Sequence, residues 1–103
     1  MLSREQIINA VDLPELVMDV PEWGGSIKLR GITAGQMIDL SDVDKAQFAA
    51  RLLAVSLVDE TGSPLFAPGE IAVLMSKNHA VIQRLTAAAI KLNSMAAEDA
   101  EKK

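Results

Sequence analysis

The chain has no cysteine and no tyrosine, and it has only one histidine, one tryptophan and two phenylalanines. Without cysteine there can be no disulfide, no zinc knuckle and no thiol catalysis. Aromatic residues make up 3 % of the chain, too few to form a stacking platform for bases. No apolar run approaches the ~18–20 residues needed to cross a bilayer. The opening residues MLSREQIINA lack the basic stretch followed by an apolar one that marks a signal peptide. A cytosolic protein without a membrane partner is therefore expected. No GxxxxGK or GxGxxG loop is present to cradle a phosphate. Positive charge is short as well: Lys and Arg total 10 against 14 Asp and Glu, a net charge of −4. Nucleic-acid binders carry a basic patch or stripe. The cations here are scattered, so nucleic acid is not expected as a partner.

What remains is aliphatic. Half of the 103 residues (50 %) are hydrophobic, enough for a folded core of Leu, Ile, Val, Met and Ala. The length suits one domain, and no internal repeat or linker divides it. We expect residues 1–97 to form a single α+β domain and residues 98–103, EDAEKK, to form a charged tail.

Local signals order the elements. Ser3 and Gln6 form an S-x-x-Q capping box before a short helix over residues 4–11. Pro14 closes it, because the residue before proline avoids the helical region. ELVMDV at residues 15–20 and SIKLR at residues 26–30 alternate apolar and polar positions across Pro21-Glu22-Trp23-Gly24-Gly25. That pattern predicts a β-hairpin. Thr33 and Gln36 form a second capping box before Met37, Ile38 and Leu40. Ser41 and Asp44 open a longer helix over residues 42–58, with Phe48, Leu52 and Val55 as its main stripe. Asp59-Glu60-Thr61-Gly62-Ser63-Pro64 is a dense turn signal. Pro68 suits the first turn of a helix carrying Ile71, Leu74 and Met75. A last helix over residues 79–96 places Ile82, Leu85, Ala89, Leu92 and Ala96 on one face. The expected architecture is a short N-terminal helix and a β-hairpin packed against a bundle of about four α-helices.

Chemistry is hard to find in this chain. His79 has no nucleophile or orienting acid that the sequence places beside it, and its position near a helix start fits a surface or capping role. Asp39, Asp42 and Asp44 lack the glycine and distant glutamate of a calcium loop, and helix capping accounts for them. No catalytic, cofactor or metal residue is assigned. Met18, Met37, Met75 and Met95 suit core filling. Trp23, at the expected hairpin tip, either folds back over apolar surface or serves as an anchor for a protein partner.

The stretch from Leu52 to Val58 poses the sharpest question. Leu52, Leu53, Val55, Leu57 and Val58 surround the expected helix, and only Ser56 among its last residues is polar. A helix that is apolar all round must be covered on every side. Either the fold itself covers it or a partner does. On the second alternative Trp23, Leu52, Leu53 and Leu57 are partner-binding residues, joined by Ala88 and Leu92 of the Ala-rich last helix.

Several motifs taken in order resemble one family. Val20-Pro21-Glu22-Trp23-Gly24-Gly25 followed by Arg30-Gly31-Ile32-Thr33 is similar to the V-P-E-W-G-G hairpin and R-x-L-T helix entry of tail assembly chaperones from long-tailed bacteriophages and prophages. Arg51-Leu52-Leu53, then Ser56-Leu57-Val58-Asp59-Glu60, Gly62 and Pro64-Leu65-Phe66 resemble that family's A-R-L-V…S-L-x-D-E-x-G-x-P-L-F block. Ala89-Ile90-Lys91-Leu92-Asn93 resembles its closing A-x-x-L-N. The resemblance spans nearly the whole chain. It implies a non-enzymatic, cofactor-free chaperone of the host bacterial cytoplasm that is absent from the finished virion. Its implied partner is the tape measure protein, kept soluble during tail tube assembly, with the major tail protein as a further partner and self-association common. Many such proteins also exist in a frameshifted longer form. The competing possibility is a small structural adaptor or tail-completion protein.

The resemblance predicts a very long, helix-rich tape measure gene just downstream, with an overlapping frame that extends this one. Sequencing across the locus checks both, and a locus with neither contradicts the resemblance.

Overall fold

Sequence-local signals set the first elements of the computed structural model, which describes residues 1–67 and 69–93. Both expected capping boxes form. Ser3 Oγ accepts from the Gln6 N–H at 3.2 Å while Gln6 Oε1 accepts from the Ser3 N–H at 2.8 Å, opening α1 (Arg4–Asn9). Thr33 and Gln36 exchange the same pair at 3.1 and 2.9 Å, opening α2 (Ala34–Ser41). These bonds occupy amide groups that a helix start leaves without partners. Although α1 is well capped, it buries no residue.

The hairpin forms as the alternation predicts. β1 (Glu15–Val20) pairs antiparallel with β2 (Gly25–Arg30), in register from Glu15 opposite Arg30 to Val20 opposite Gly25. A 3₁₀ turn over Pro21–Trp23 joins them, and Gly24 follows at φ +80°, a left-handed conformation that only glycine adopts without strain. Lys28 Nζ reaches Glu15 at 3.1 Å, a diagonal cross-strand pair.

The long helix is shorter than its periodicity suggests. α3 runs Lys45–Ser56 and starts at Asp44, which makes no side-chain capping bond. Ser41 closes α2 and gives its hydroxyl to the Ile38 carbonyl at 2.7 Å. The expected S-x-x-D start at Ser41 is thus replaced by one at Asp44. The larger difference is at the other end. Leu57–Val58 leaves the helix and becomes β3, antiparallel to β2 with Leu57 opposite Leu29 and Val58 opposite Lys28. The sheet has the order β1-β2-β3. Both residues are β-favouring or neutral, and the unpaired edge of β2 offers hydrogen bonds that a last helical turn lacks.

After β3 the turn signal is realised in full. Asp59 Oδ1 accepts from the Thr61 N–H (2.8 Å), the Thr61 hydroxyl (2.7 Å) and the Ser63 N–H (3.0 Å). Gly62 sits at φ +90°. The chain returns along β3, where the Leu65 N–H donates to the Leu57 carbonyl at 3.1 Å. α4 (Ile71–Met75) and α5 (His79–Leu92) follow. Asn78 caps α5, its Oδ1 accepting from Ala80 and Val81 at 2.8 and 3.2 Å.

The core lies between the sheet, α3 and α5. Val20 and Leu29 from the hairpin, Leu52, Leu53 and Leu57 from the α3–β3 segment, Leu74 from α4, and Val81, Leu85 and Ala89 from α5 form one buried cluster. At its edge, Asn93 Oδ1 accepts from the Ile32 N–H at 2.8 Å and its Nδ2 donates to Ala89 O at 2.8 Å, tying the end of α5 to the segment between β2 and α2. Gly31 is required there, because a Cβ would sit 2.7 Å from Pro14 Cδ. The α+β class matches expectation, with five helices and three strands among the described residues. Pro68, Met95, Ala96 and the tail at residues 98–103 lie outside them.

Leu53→Ala is expected to lower unfolding free energy by ~2–5 kcal/mol, through the lost transfer energy and the cavity left behind. Urea unfolding followed by circular dichroism measures it. A loss well below 1 kcal/mol would contradict the placement of Leu53 in a close-packed core.

Candidate functional site

A groove runs along α5 beside its core-facing stripe. Val81, Leu85 and Ala89 point into the core and are buried, whereas Ile82, Thr86 and Ile90 follow one another at four-residue spacing on the next face. Together with Ala87 they line a groove of about 640 Å³. Ala46, Ala49 and Ala50 of α3 form the facing wall, and Leu74 and Met75 of α4 close one end. Lys77, between α4 and α5, and His79, the first residue of α5, also line the groove. The walls are short side chains and the bottom is aliphatic. Met75, among the lining residues, is 54 % exposed.

A second, smaller groove of about 310 Å³ lies beyond α4, lined by Trp23, Phe66, Val73, Leu74 and Lys77. Leu74 and Lys77 line both grooves, so α4 is the ridge between them. Trp23 is held at this place by its neighbour. Arg84 of α5 grips Glu22 with two parallel bonds, Nη2 to Oε1 at 2.7 Å and Nη1 to Oε2 at 3.1 Å. This fork geometry fixes orientation as well as distance. The hairpin end is thereby pinned to α5, and the indole lies against α4 at 37 % exposure.

The structure separates the six residues that the sequence singled out. Leu52 and Leu53 are 0 % exposed and Leu57 is buried beside them. The fold itself covers the apolar stretch: α5 packs on α3, and the last two residues leave the helix to enter the sheet. These three leucines are therefore core residues and present no surface to a partner, which corrects the partner alternative for them. Ala88 and Leu92 are half-buried and pack against the core cluster. Trp23 borders the groove beyond α4, and Leu92 borders a separate cleft with Pro14, Ile32 and Asn93. The groove-lining residues Ala46, Ala49, Ile82, Thr86 and Ala87 escaped the sequence reading, apart from the general mark of an Ala-rich last helix. Their signal was the recurrence of alanine on two helices, which gains meaning only when the helices face each other. Ile82, assigned by periodicity to the buried stripe, is half-buried in the groove, and Val81 takes the core position.

Among the described residues, no group of three or more His, Asp or Glu side chains comes together to hold a metal ion. None of the described helices is long and apolar enough to cross a membrane.

Solved structures include one that shares this α+β fold. It is the tail assembly chaperone of bacteriophage HK97, with a TM-score of 0.65 and 22 % identity, covering 85 % of this chain and 90 % of that chain. At that identity the likeness establishes a common fold. No protein-family model matches the chain, and no curated protein matches it.

Two carboxyls set an acid dependence. The Arg84 hydrogen bonds hold Glu22 below its ordinary 4.5, and the Thr61 hydroxyl and Ser63 amide hold Asp59 below its ordinary 3.8. Folded values below the unfolded ones mean stability that is present above the unfolded pKa and lost as pH falls through the folded one. The thermal midpoint is therefore expected to hold steady from neutral pH to about pH 5 and to drop below about pH 4. Glu22→Gln and Asp59→Asn should each flatten that drop; a midpoint equally acid-sensitive in the double variant would show that other groups carry it.

Proposed function

We propose that this protein is a non-enzymatic tail assembly chaperone of a phage or prophage. In this reading it binds the tape measure protein in the host bacterial cytoplasm, supports tail tube assembly and is absent from the mature virion. One observation carries the proposal: a fold shared with the HK97 tail assembly chaperone over 85 % of this chain, beside which this chain keeps an apolar groove open between α3, α4 and α5.

The physics of the groove supports a helical client. Amphipathic helices bind by laying an apolar face into a hydrophobic groove, with anchors at three- and four-residue spacing. Ile82, Thr86 and Ile90 present a matching spacing. Alanine walls let a client backbone come close, since the distance between packed helices is set by the side chains at the contact. A tape measure protein built of long apolar helical segments needs such cover before the tube encloses it. The net charge of −4 keeps the chaperone itself soluble. Self-association belongs to the same reading, and it is supported by α1, where Ile7 and Ile8 lie exposed beside Leu2 and Val11. The major tail protein is a further partner on this view.

Co-expression with the tape measure protein tests the proposal. The chaperone should shift the tape measure protein from pellet to supernatant, and Ala49→Glu and Ile82→Glu should weaken binding by at least tenfold, ~1.4 kcal/mol. Both positions are partly buried and Ile82 also packs against the core, so some loss of thermal midpoint is expected and circular dichroism must show each variant folded before its binding is read. Purified virions should lack the protein. Its presence in virions would favour the structural adaptor or tail-completion protein instead.

A further inference from the structure

Thr86 is the buried polar residue of the groove lining, whose other polar members, Lys77, His79 and Gln83, are exposed. The residue is 9 % exposed, lines the groove between Ile82 and Ile90, and its Oγ1 has no hydrogen-bond partner. A threonine within a helix commonly bonds the carbonyl one turn back, and that bond is missing. A buried hydroxyl without a partner is destabilising, whereas valine would fill nearly the same volume without that cost. Thr86 Oγ1 is itself buried where it stands, but threonine splits between two χ1 wells in a helix, and rotation from one well to the other carries the hydroxyl to a different side of Cβ. The hydroxyl can therefore turn toward a ligand in the groove.

Two further features define the ligand. Ala46, Ala49 and Ala87 admit a close helix backbone. Lys77, the only fully charged lining residue, makes no ion pair among the described residues. It sits with His79 at the N-terminal end of α5, where the helix dipole is positive.

Resting on the helix-binding reading above, we propose that the groove selects an amphipathic helix of a partner protein whose apolar stripe is broken by one Ser, Thr, Asn or Gln side chain. That side chain bonds Thr86 Oγ1 and supplies the partner the free protein lacks. The helix runs antiparallel to α5, so that its negative C-terminal end, with an acidic residue, lies at Lys77. Thr86 is thus a specificity residue. A site built to bond a polar group discriminates against the analogue without it far better than an apolar pocket discriminates by size.

The probe is a displayed library of amphipathic helices of about 18 residues, long enough to hold helical structure. Leu or Ile is fixed at most stripe positions and the others are randomised. Selection is run on the whole protein and on Thr86→Ser, Thr86→Val and Ile82→Glu, each checked for folding by circular dichroism. The parent and Thr86→Ser should enrich helices with one hydroxyl or amide residue at a single stripe position, and such a helix should bind about fivefold tighter than its Leu counterpart. Thr86→Val should lose that preference while still binding all-aliphatic helices, and Ile82→Glu should bind neither kind. All-aliphatic helices enriched equally by the parent and Thr86→Val would overturn the role of Thr86 and leave the groove standing as a helix site. No enrichment by any folded variant would overturn the helix-binding reading itself. Sedimentation supplies the last arm: a self-associated parent that Ile82→Glu dissociates and no library helix displaces would make the occupant a second copy, also against the proposal.

Discussion

The segment Leu52–Val58 has no polar face, and the rest of the fold is arranged around that fact. An element apolar on all sides is stable only when covered on all sides, which a small chain achieves with difficulty. The solution here is to change secondary structure partway. Leu52 and Leu53 stay helical, where α5 covers them, while Leu57 and Val58 unwind into the sheet, where β2 satisfies their backbone. Fully burying each of these side chains contributes ~1.5–3 kcal/mol, a large fraction of the ~5–15 kcal/mol by which domains are stable. The hairpin, the Asp59 turn and α5 all serve the same cover: Leu29 pairs with Leu57, the turn returns Leu65 to the Leu57 carbonyl, and Leu85 completes the cluster.

The groove follows from the same demand. α5 can turn only one stripe toward the core, and Val81, Leu85 and Ala89 occupy it. The neighbouring stripe, Ile82, Thr86 and Ile90, is aliphatic enough to be buried but has only the alanines of α3 opposite it. Had α3 carried leucine at those alanine positions, the two helices would have filled the gap between them and no groove would remain. Small residues on one wall and larger aliphatic ones on the other leave an unfilled cleft of a size usual for binding sites. The Glu22–Arg84 clamp sits on the same helix and pins the hairpin end, so the Trp23 groove and the α5 groove hold a fixed relation across α4.

How much of this could be read in advance depends on the range of the interaction. The capping boxes at Ser3 and Thr33, the alternation of the hairpin and the Asp59 turn are decided within a few residues, and they formed as their sequences indicate. The switch at Leu57 was not legible, because helical spacing continues through it. Only the free edge of β2, nearly 30 positions earlier in the chain, makes the strand preferable. The start of α3 was misplaced for a similar reason: Ser41 and Asp44 both look like caps, and the bond of Ser41 to Ile38 belongs to the preceding helix. The site was less legible than the fold. Leu52, Leu53 and Leu57 drew attention as the most apolar residues, and a monomer buries its most apolar residues first. Alanines carry almost no signal in a single sequence, yet two rows of them facing each other make the cleft.

The chemistry of that cleft separates the classes of ligand it can take. A nucleic acid would need cations and stacking rings, but Lys77 is the only Lys or Arg in the lining and no Phe, Tyr or Trp lines the larger groove. A small polar metabolite would need several converging hydrogen-bonding groups, and Gln83, Thr86 and His79 are spread along about two turns of α5 rather than gathered. A helix asks for something else: length along one axis, shallow walls and aliphatic contacts at a four-residue repeat, with at most one polar mark to set its register. Polar groups buried in apolar interfaces fix register in coiled coils at a cost in stability. A single unsatisfied hydroxyl midway along an aliphatic stripe has the same form, and its cost in the free protein is what makes the bound state selective.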